Sequence, residues 1–195
     1  MCAVRSRRGQ NARVFAYALL VAAAVLFFCS KSSFGYPIND WSDANIYFTI
    51  GKGMTRGQVV YRDLYDHKGP LLYALHALCA LISFGDFTGV YLMEVCFAAL
   101  FLTGAYRLMV LYGARRAAWL MLPVLALLIY TSASFAEGDS AEELCLPLMV
   151  WSLYGVLRHF GRGGGRMPAR ELVWQGVLAG CVFWIKFTIC GVHAG

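Results

Sequence analysis

The chain has 195 residues, 59% of them hydrophobic and 14% charged, with a formal net charge of +6. A soluble globular domain carries about 45–50% apolar and about 25% charged residues, and disordered chains are apolar-poor and charge-rich, so both classes are excluded. The seven cysteines are odd in number and scattered through apolar runs, which is no disulfide framework. They read as small apolar fillers. The composition predicts an all-α fold: a polytopic transmembrane helical bundle with an interfacial-helix loop on its outer face.

In chain order, apolar runs occupy 14–28, 70–84, 90–111, 117–135, 144–157 and 172–192. A full span needs about 20 residues. The third, fourth and sixth reach this easily; the first and fifth borrow flanking residues. The run at 70–84 is short and is stopped by Gly85 and Asp86. Arginines mark the cytoplasmic side. Arg5, Arg7, Arg8 and Arg13 place the N-terminus there, Arg107, Arg115 and Arg116 mark a second patch, and Arg158, Arg162, Arg166 and Arg170 a third. The three patches agree only if 70–84 does not cross completely, which makes it a half-helix or interfacial helix on the outer side. The basic N-terminus also suits a cleaved signal peptide, but no small-x-small site follows cleanly, so a retained anchor is the reading. The glycine-rich turn at 161–165 lacks the Lys-Ser/Thr and preceding strand of a phosphate loop.

The external segment 31–69 carries the chemistry. The basic and acidic residues of the wider stretch 31–86 balance, and 137–143 adds Glu137, Asp139, Glu142 and Glu143 on the same side. Ser42 is the expected N-cap of an interfacial helix with Asp43 in its first turn. Tyr47 and Phe48 suit a membrane interface. Gly51, Gly53 and Gly57 are expected to break that helix, 61–65 to form an extended or turn segment, and Pro70 to open the next helix. Loops longer than about 12–15 residues are usually functional or disordered, and the spaced aromatics here favour order.

The run Asp43-x-x-x-Tyr47, Gly57, Tyr61-Arg62-Asp63 and His67-Lys68-Gly69-Pro70-Leu71-Leu72 resembles the first external loop of the GT-C glycosyltransferases. It is closest to the bacterial aminoarabinose and protein O-mannosyl transferase branch. Gly138-Asp139-Ser140-Ala141-Glu142-Glu143 is similar to the family's second acidic motif, and Gly180-x-x-Phe183-Trp184-Ile185-Lys186 to the glycine-then-lysine helix after it. The chain departs from the branch at Ala44, where Glu is frequent, and at Gly69, where the first Pro of Lys-Pro-Pro-Leu stands. The resemblance implies a membrane transferase of the cell envelope, moving a hexose or pentose from a polyprenyl-phosphate donor to an acceptor on the outer face. It also implies that this chain is the N-terminal part of a larger module, one transmembrane domain in the bacterial inner membrane. Its partners would be the lipid-linked donor and membrane lipids, not nucleic acid. Other classes also fit an apolar chain: a transporter or flippase segment, or a non-catalytic membrane protein. Polar residues concentrated at one face, without a repeat, favour the enzyme.

Such a displacement needs a base for the acceptor hydroxyl and positive charge on the departing phosphate. Asp43 is the candidate base. Lys68 is the candidate phosphate partner, with Arg62 and His67 assisting. The second motif, Asp139, Glu142 and Glu143, would orient the acceptor or, with Asp43, hold a divalent cation through oxygen ligands; some family members use a metal and others do not. Each residue also has a plain reading: Asp43, Glu142 and Glu143 as first-turn acids stabilised by the helix dipole, Lys68 as an interfacial lysine. His76 and His159 show no metal-ligand spacing. Lys186 falls inside the last apolar run, about 22 Å along a helix starting near Glu171. It is expected either to pair with Glu94 or to bind the carrier phosphate.

Overall fold

The computed structural model describes residues 2–135, 137–161, 163 and 165–193, so Arg162 and Gly164 of the glycine-rich turn lie outside the described residues. Seven α-helices form among these, in the order α1 Cys2–Cys29, α2 Ser42–Thr55, α3 Pro70–Ile82, α4 Thr88–Leu111, α5 Arg115–Tyr130, α6 Ala141–Phe160 and α7 Ala169–Ile185. A 3-10 turn, Phe187–His193, follows. The described residues contain no strand beyond an isolated Val60–Leu64 bridge, so the all-helical expectation holds. Among the described residues two helices are long and apolar enough to cross a membrane, Gly9–Cys29 and Thr88–Leu111; the 13-residue Pro70–Ile82 is apolar but short.

α4 is the central helix. On one side Val95, Ala99, Leu102 and Tyr106 pack with Val14, Ala18, Ala22 and Leu26 of α1 and with Ala118, Leu122 and Ala126 of α5. On the other side Val90 and Met93 join a second core built from Tyr47 and Phe48 of α2, Leu72 and Tyr73 of α3, Leu144 and Cys145 of α6, and Val182 and Ile185 of α7. Small residues on α1 and α5 let these helices close on α4. Large apolar side chains face outward instead, including Leu20, Leu81, Leu120, Leu128 and Val173.

Several expected boundaries shift, each for a local reason. Trp41, not Ser42, occupies the N-cap of α2, with no side-chain cap bond. Gly51 and Gly53 do not break α2, which continues to Thr55; Gly57, at φ +84°, is where the chain turns away. Gly51 is a packing residue: a Cβ there would fall 2.5 Å from the His76 carbonyl carbon, so its absence lets α2 lie against α3. The run at 117–135 yields a helix of only 16 residues, interrupted internally by Pro123. α7 has 17 residues and ends at Ile185. Lys186 therefore does not lie inside a continuous span. It is the C-cap, in extended conformation at φ −152°, ψ 101°, where the chain leaves the helix.

Candidate active site

The segment following α1, the start of α2, the middle of α3, the second turn of α4, the α5–α6 loop and the end of α7 meet at one end of the molecule. Asp43 sits one turn before Tyr47 on α2, a spacing that puts both on one helix face. The Tyr47 hydroxyl donates to Asp43 Oδ2 at 2.8 Å. Asp43 is half-buried, and Tyr47 is buried with its ring edge-on to the His76 imidazole, centroids 5.6 Å apart. Helical geometry also places the His76 Nδ1–H on the Leu72 carbonyl, four residues back, at 2.8 Å. Its Nε2 faces both Asp139 carboxylate oxygens, at 3.0 and 2.9 Å. One proton is thus held between His76 and Asp139, since Nδ1 must already donate to a carbonyl.

Asp139 is fully buried, at φ +49° after Gly138 at φ +75°. This pair of left-handed residues turns the Asp139 N–H onto Glu94 Oε1, at 2.6 Å. The Ser30 hydroxyl, just past α1, reaches the two Glu94 oxygens at 2.9 and 2.8 Å. Burial pushes the Asp139 carboxyl above its ordinary range; His76 opposes the shift and the Asp43 charge adds to it. Outside this ladder, Lys31 bridges Asp40 at 2.6 Å and Glu137 at 2.5 Å. The Lys31 ammonium holds the exposed Asp40 carboxyl below the usual range.

Of the second acidic motif, Asp139 and Glu143 are buried and Glu142 is partly exposed. Glu142 forms an ion pair with Lys186, and the Lys68 charge acts on the same carboxylate. The expected Glu94–Lys186 pair does not form, because ending α7 at Ile185 delivers Lys186 to Glu142 and leaves Glu94 to Ser30 and Asp139. Glu143 is buried and, among the described residues, neither of its oxygens has a hydrogen-bond partner. Its Ser140 neighbour caps α6 by accepting from the Glu143 N–H at 3.1 Å.

Two of the expected phosphate partners stand apart from this cluster. Arg62 folds its guanidinium onto the adjacent Asp63, at 2.9 and 2.8 Å, and is exposed. His67 is also exposed and pairs with Asp66 at 3.0 Å. His67 and Lys68 line a cleft of about 250 Å³ with Gly69, Pro70, Phe183, Trp184 and Phe187. The loop is tied down by tyrosines. Tyr61 donates to the Lys68 carbonyl at 2.6 Å, and Tyr73 donates to Asp66 at 2.7 Å while accepting from the Lys68 N–H at 3.1 Å. Gly69 donates to the Ile185 carbonyl at 3.1 Å, docking the loop on the end of α7.

Sequence reasoning missed the roles of His76, Glu94 and Asp66. A histidine and a glutamate inside apolar runs were signals available for the first two; nothing in the spacing marked Asp66. Among the described residues no three His, Cys, Asp or Glu side chains form a group able to hold a metal ion, so no step is derived through one.

Fold and site define a protein whose described residues are helical, with the α2 helix packed near buried acidic residues. The chain belongs to the family described as "Putative competence-induced protein Ccs4 N-terminal domain", whose model matches residues 2–183. No curated protein and no solved structure matches it.

Proposed function

We propose that this protein is a polytopic membrane glycosyltransferase that takes a hexose or pentose from a polyprenyl-phosphate donor on the outer face of a bacterial inner membrane. The observation that carries the reading is the convergence of Asp43, Asp139, Glu142, Lys68 and Lys186 from four separate stretches of chain. These are the residues that the resemblance to GT-C transferases singles out. The outward-facing Leu20, Leu81, Leu120 and Leu128 suit lipid contact, the last three on helices too short to span unaided. The arginine patches orient the N-terminus to the cytoplasm.

In the proposed reaction the acceptor hydroxyl oxygen attacks the anomeric carbon, and the bond from that carbon to the phosphate oxygen breaks. The phosphate leaves with the electron pair, and the hydroxyl proton passes to Asp43, held in place by Tyr47. Lys68 and Lys186 supply positive charge for the departing phosphate. The cleft of Pro70, Phe183, Trp184 and Phe187 beside Lys68 offers apolar walls for the first isoprene units. The family's description as an N-terminal domain supports reading the chain as the first part of a larger protein.

The test is label transfer from a radiolabelled polyprenyl-phosphate hexose in membranes containing the full-length protein. Asp43→Asn is expected to lower transfer by about 10²–10⁴-fold, the usual worth of a positioned base. Transfer by Asp43→Asn at the wild-type rate, or none by the wild type, refutes the proposal. One observation favours a second reading: α7 unwinds at Lys186 beside buried acids, as discontinuous helices do in carriers. Uptake of label into vesicles without covalent transfer would mark that reading instead.

A further inference from the structure

We infer that His76 is a positioning residue for Asp43, joining the two acidic motifs into one unit through Asp139 on one side of its ring and Tyr47 on the other. The inference rests on the transferase reading and names a residue that no motif of that reading contains. Three observations carry it. Both imidazole nitrogens are occupied, Nδ1 by the Leu72 carbonyl at 2.8 Å and Nε2 by Asp139 at 2.9 Å, and the ring is wholly buried. His76 therefore has no nitrogen left for substrate. Its ring lies edge-on to Tyr47, whose hydroxyl holds Asp43 at 2.8 Å. The helices carrying these groups cannot slide apart freely, because the Gly51 backbone rests directly on the His76 backbone.

The ladder continues from Asp139 to Glu94 and Ser30 at 2.6–2.9 Å, so the platform under Asp43 is anchored to the α5–α6 loop, α4 and the end of α1. A base whose support is fixed on several elements is delivered in one geometry, and a misplacement of about 1 Å costs on the order of 10²-fold in rate. Side-chain packing against a rigid neighbour is how such placement is secured.

The experiment uses the full chain in membranes with the radiolabelled polyprenyl-phosphate hexose, and compares His76→Leu, His76→Gln and Tyr47→Phe. His76→Leu is expected to lower kcat by about 10–100-fold with donor KM within about threefold, as a misplaced group does. His76→Gln keeps an N–H for Asp139 and is expected to recover most of that loss. Tyr47→Phe preserves packing, removes the bond to Asp43, and is expected to lower kcat alone. A wild-type kcat in Tyr47→Phe or His76→Leu, a loss confined to KM, or a His76→Gln variant as slow as His76→Leu overturns the inference.

Hydrogen exchange on the same variants gives a readout that needs no substrate. In His76→Leu, amides of α2 around Tyr47 and of 138–140 are expected to exchange faster together, with α1 and α5 unchanged. Acceleration in only one of the two segments overturns the tie. If the wild type transfers no sugar, the transferase reading falls and the exchange result alone decides whether His76 joins the motifs. If His76→Leu loses its fold, Tyr47→Phe and His76→Gln decide.

Discussion

Gly69→Ala tests how the loop between α2 and α3 is docked. Gly69 has an ordinary extended backbone, φ −76° and ψ 152°, so an alanine could adopt it without strain. The obstacle is space: an added Cβ would overlap the Trp184 carbonyl oxygen and lie 3.0 Å from the Trp184 Cα. These are backbone atoms at the end of α7, which cannot rotate aside as a side chain would. The chain must move apart, at about 1–3 kcal/mol for overpacking. The Gly69–Ile185 bond then lengthens, which costs up to about 1 kcal/mol more. A total near 2.5 kcal/mol corresponds to a melting temperature lower by about 5–10 °C for a chain of this size. The assay is thermal unfolding in one detergent, followed by tryptophan fluorescence. Gly85→Ala is the control, since nothing lies within 4 Å of a Cβ there; it is expected to stay within about 2 °C of wild type. Equal melting of Gly69→Ala, Gly85→Ala and wild type would refute the close docking of the loop on α7. A proline at position 69 would lack the N–H that Gly69 donates to the Ile185 carbonyl.

The Glu142–Lys186 pair is partly exposed, with side-chain exposures of 45% and 21%. A double-mutant cycle with alanine at both positions should give a coupling of about 0.5–1 kcal/mol in unfolding measurements, discounted for solvent. The same cycle between Glu94 and Lys186 should be additive within about 0.5 kcal/mol; a larger coupling there would reinstate the pairing that the structure replaces. Asp139 sets a pH dependence of definite sign. Its folded carboxyl lies above the ordinary 3.8, so the folded state binds more protons than the unfolded one. Stability from this group is therefore present below the ordinary value and lost as pH rises through the raised folded value. Melting of wild type relative to Asp139→Asn should accordingly decline as pH rises above about 4. A difference that is flat or rising with pH would sink this account.

The helices were legible because composition and period act locally. Pro70 opens α3 and Gly57 ends the turn of chain after α2, as their backbone preferences require. Gly51 and Gly53 misled because a glycine inside a helix reads alike whether it breaks the helix or clears a path for a neighbour; only the approach of α3 distinguishes the two. The break at Lys186 left no local signal at all. Val182, Phe183, Trp184 and Ile185 continue an apolar run, and the helix stops where Gly69 meets the Trp184 and Ile185 carbonyls. Asp43 and the second acidic motif were visible as patterns. That Tyr47, the partner of Asp43, and Asp139 share a neighbour in His76 depends on two helices and a loop meeting in space, with His76 and Asp139 63 residues apart in sequence.

The buried acids sharpen what such a cluster must be for. Glu94, Asp139 and Glu143 are all buried at this end of the molecule, and His76 is the only basic side chain buried with them among the described residues. Glu94 accepts two donors and Asp139 is bonded to His76, but among the described residues Glu143 has no partner on either oxygen. An ionised carboxylate in that setting costs several kcal/mol, and like charges held together cannot all ionise. A fold selected for stability alone would place apolar side chains at positions 94 and 143, since buried ionic groups are often neutral or costly against hydrophobic replacements of similar size. Local rules are broken in natural proteins mainly where function requires it. The violations here are not scattered: they sit near Asp43 and the Glu142–Lys186 pair, at the end of the molecule where the segments before α2 and α6 meet. That placement argues that the acids serve the same site as Asp43 rather than the stability of the bundle.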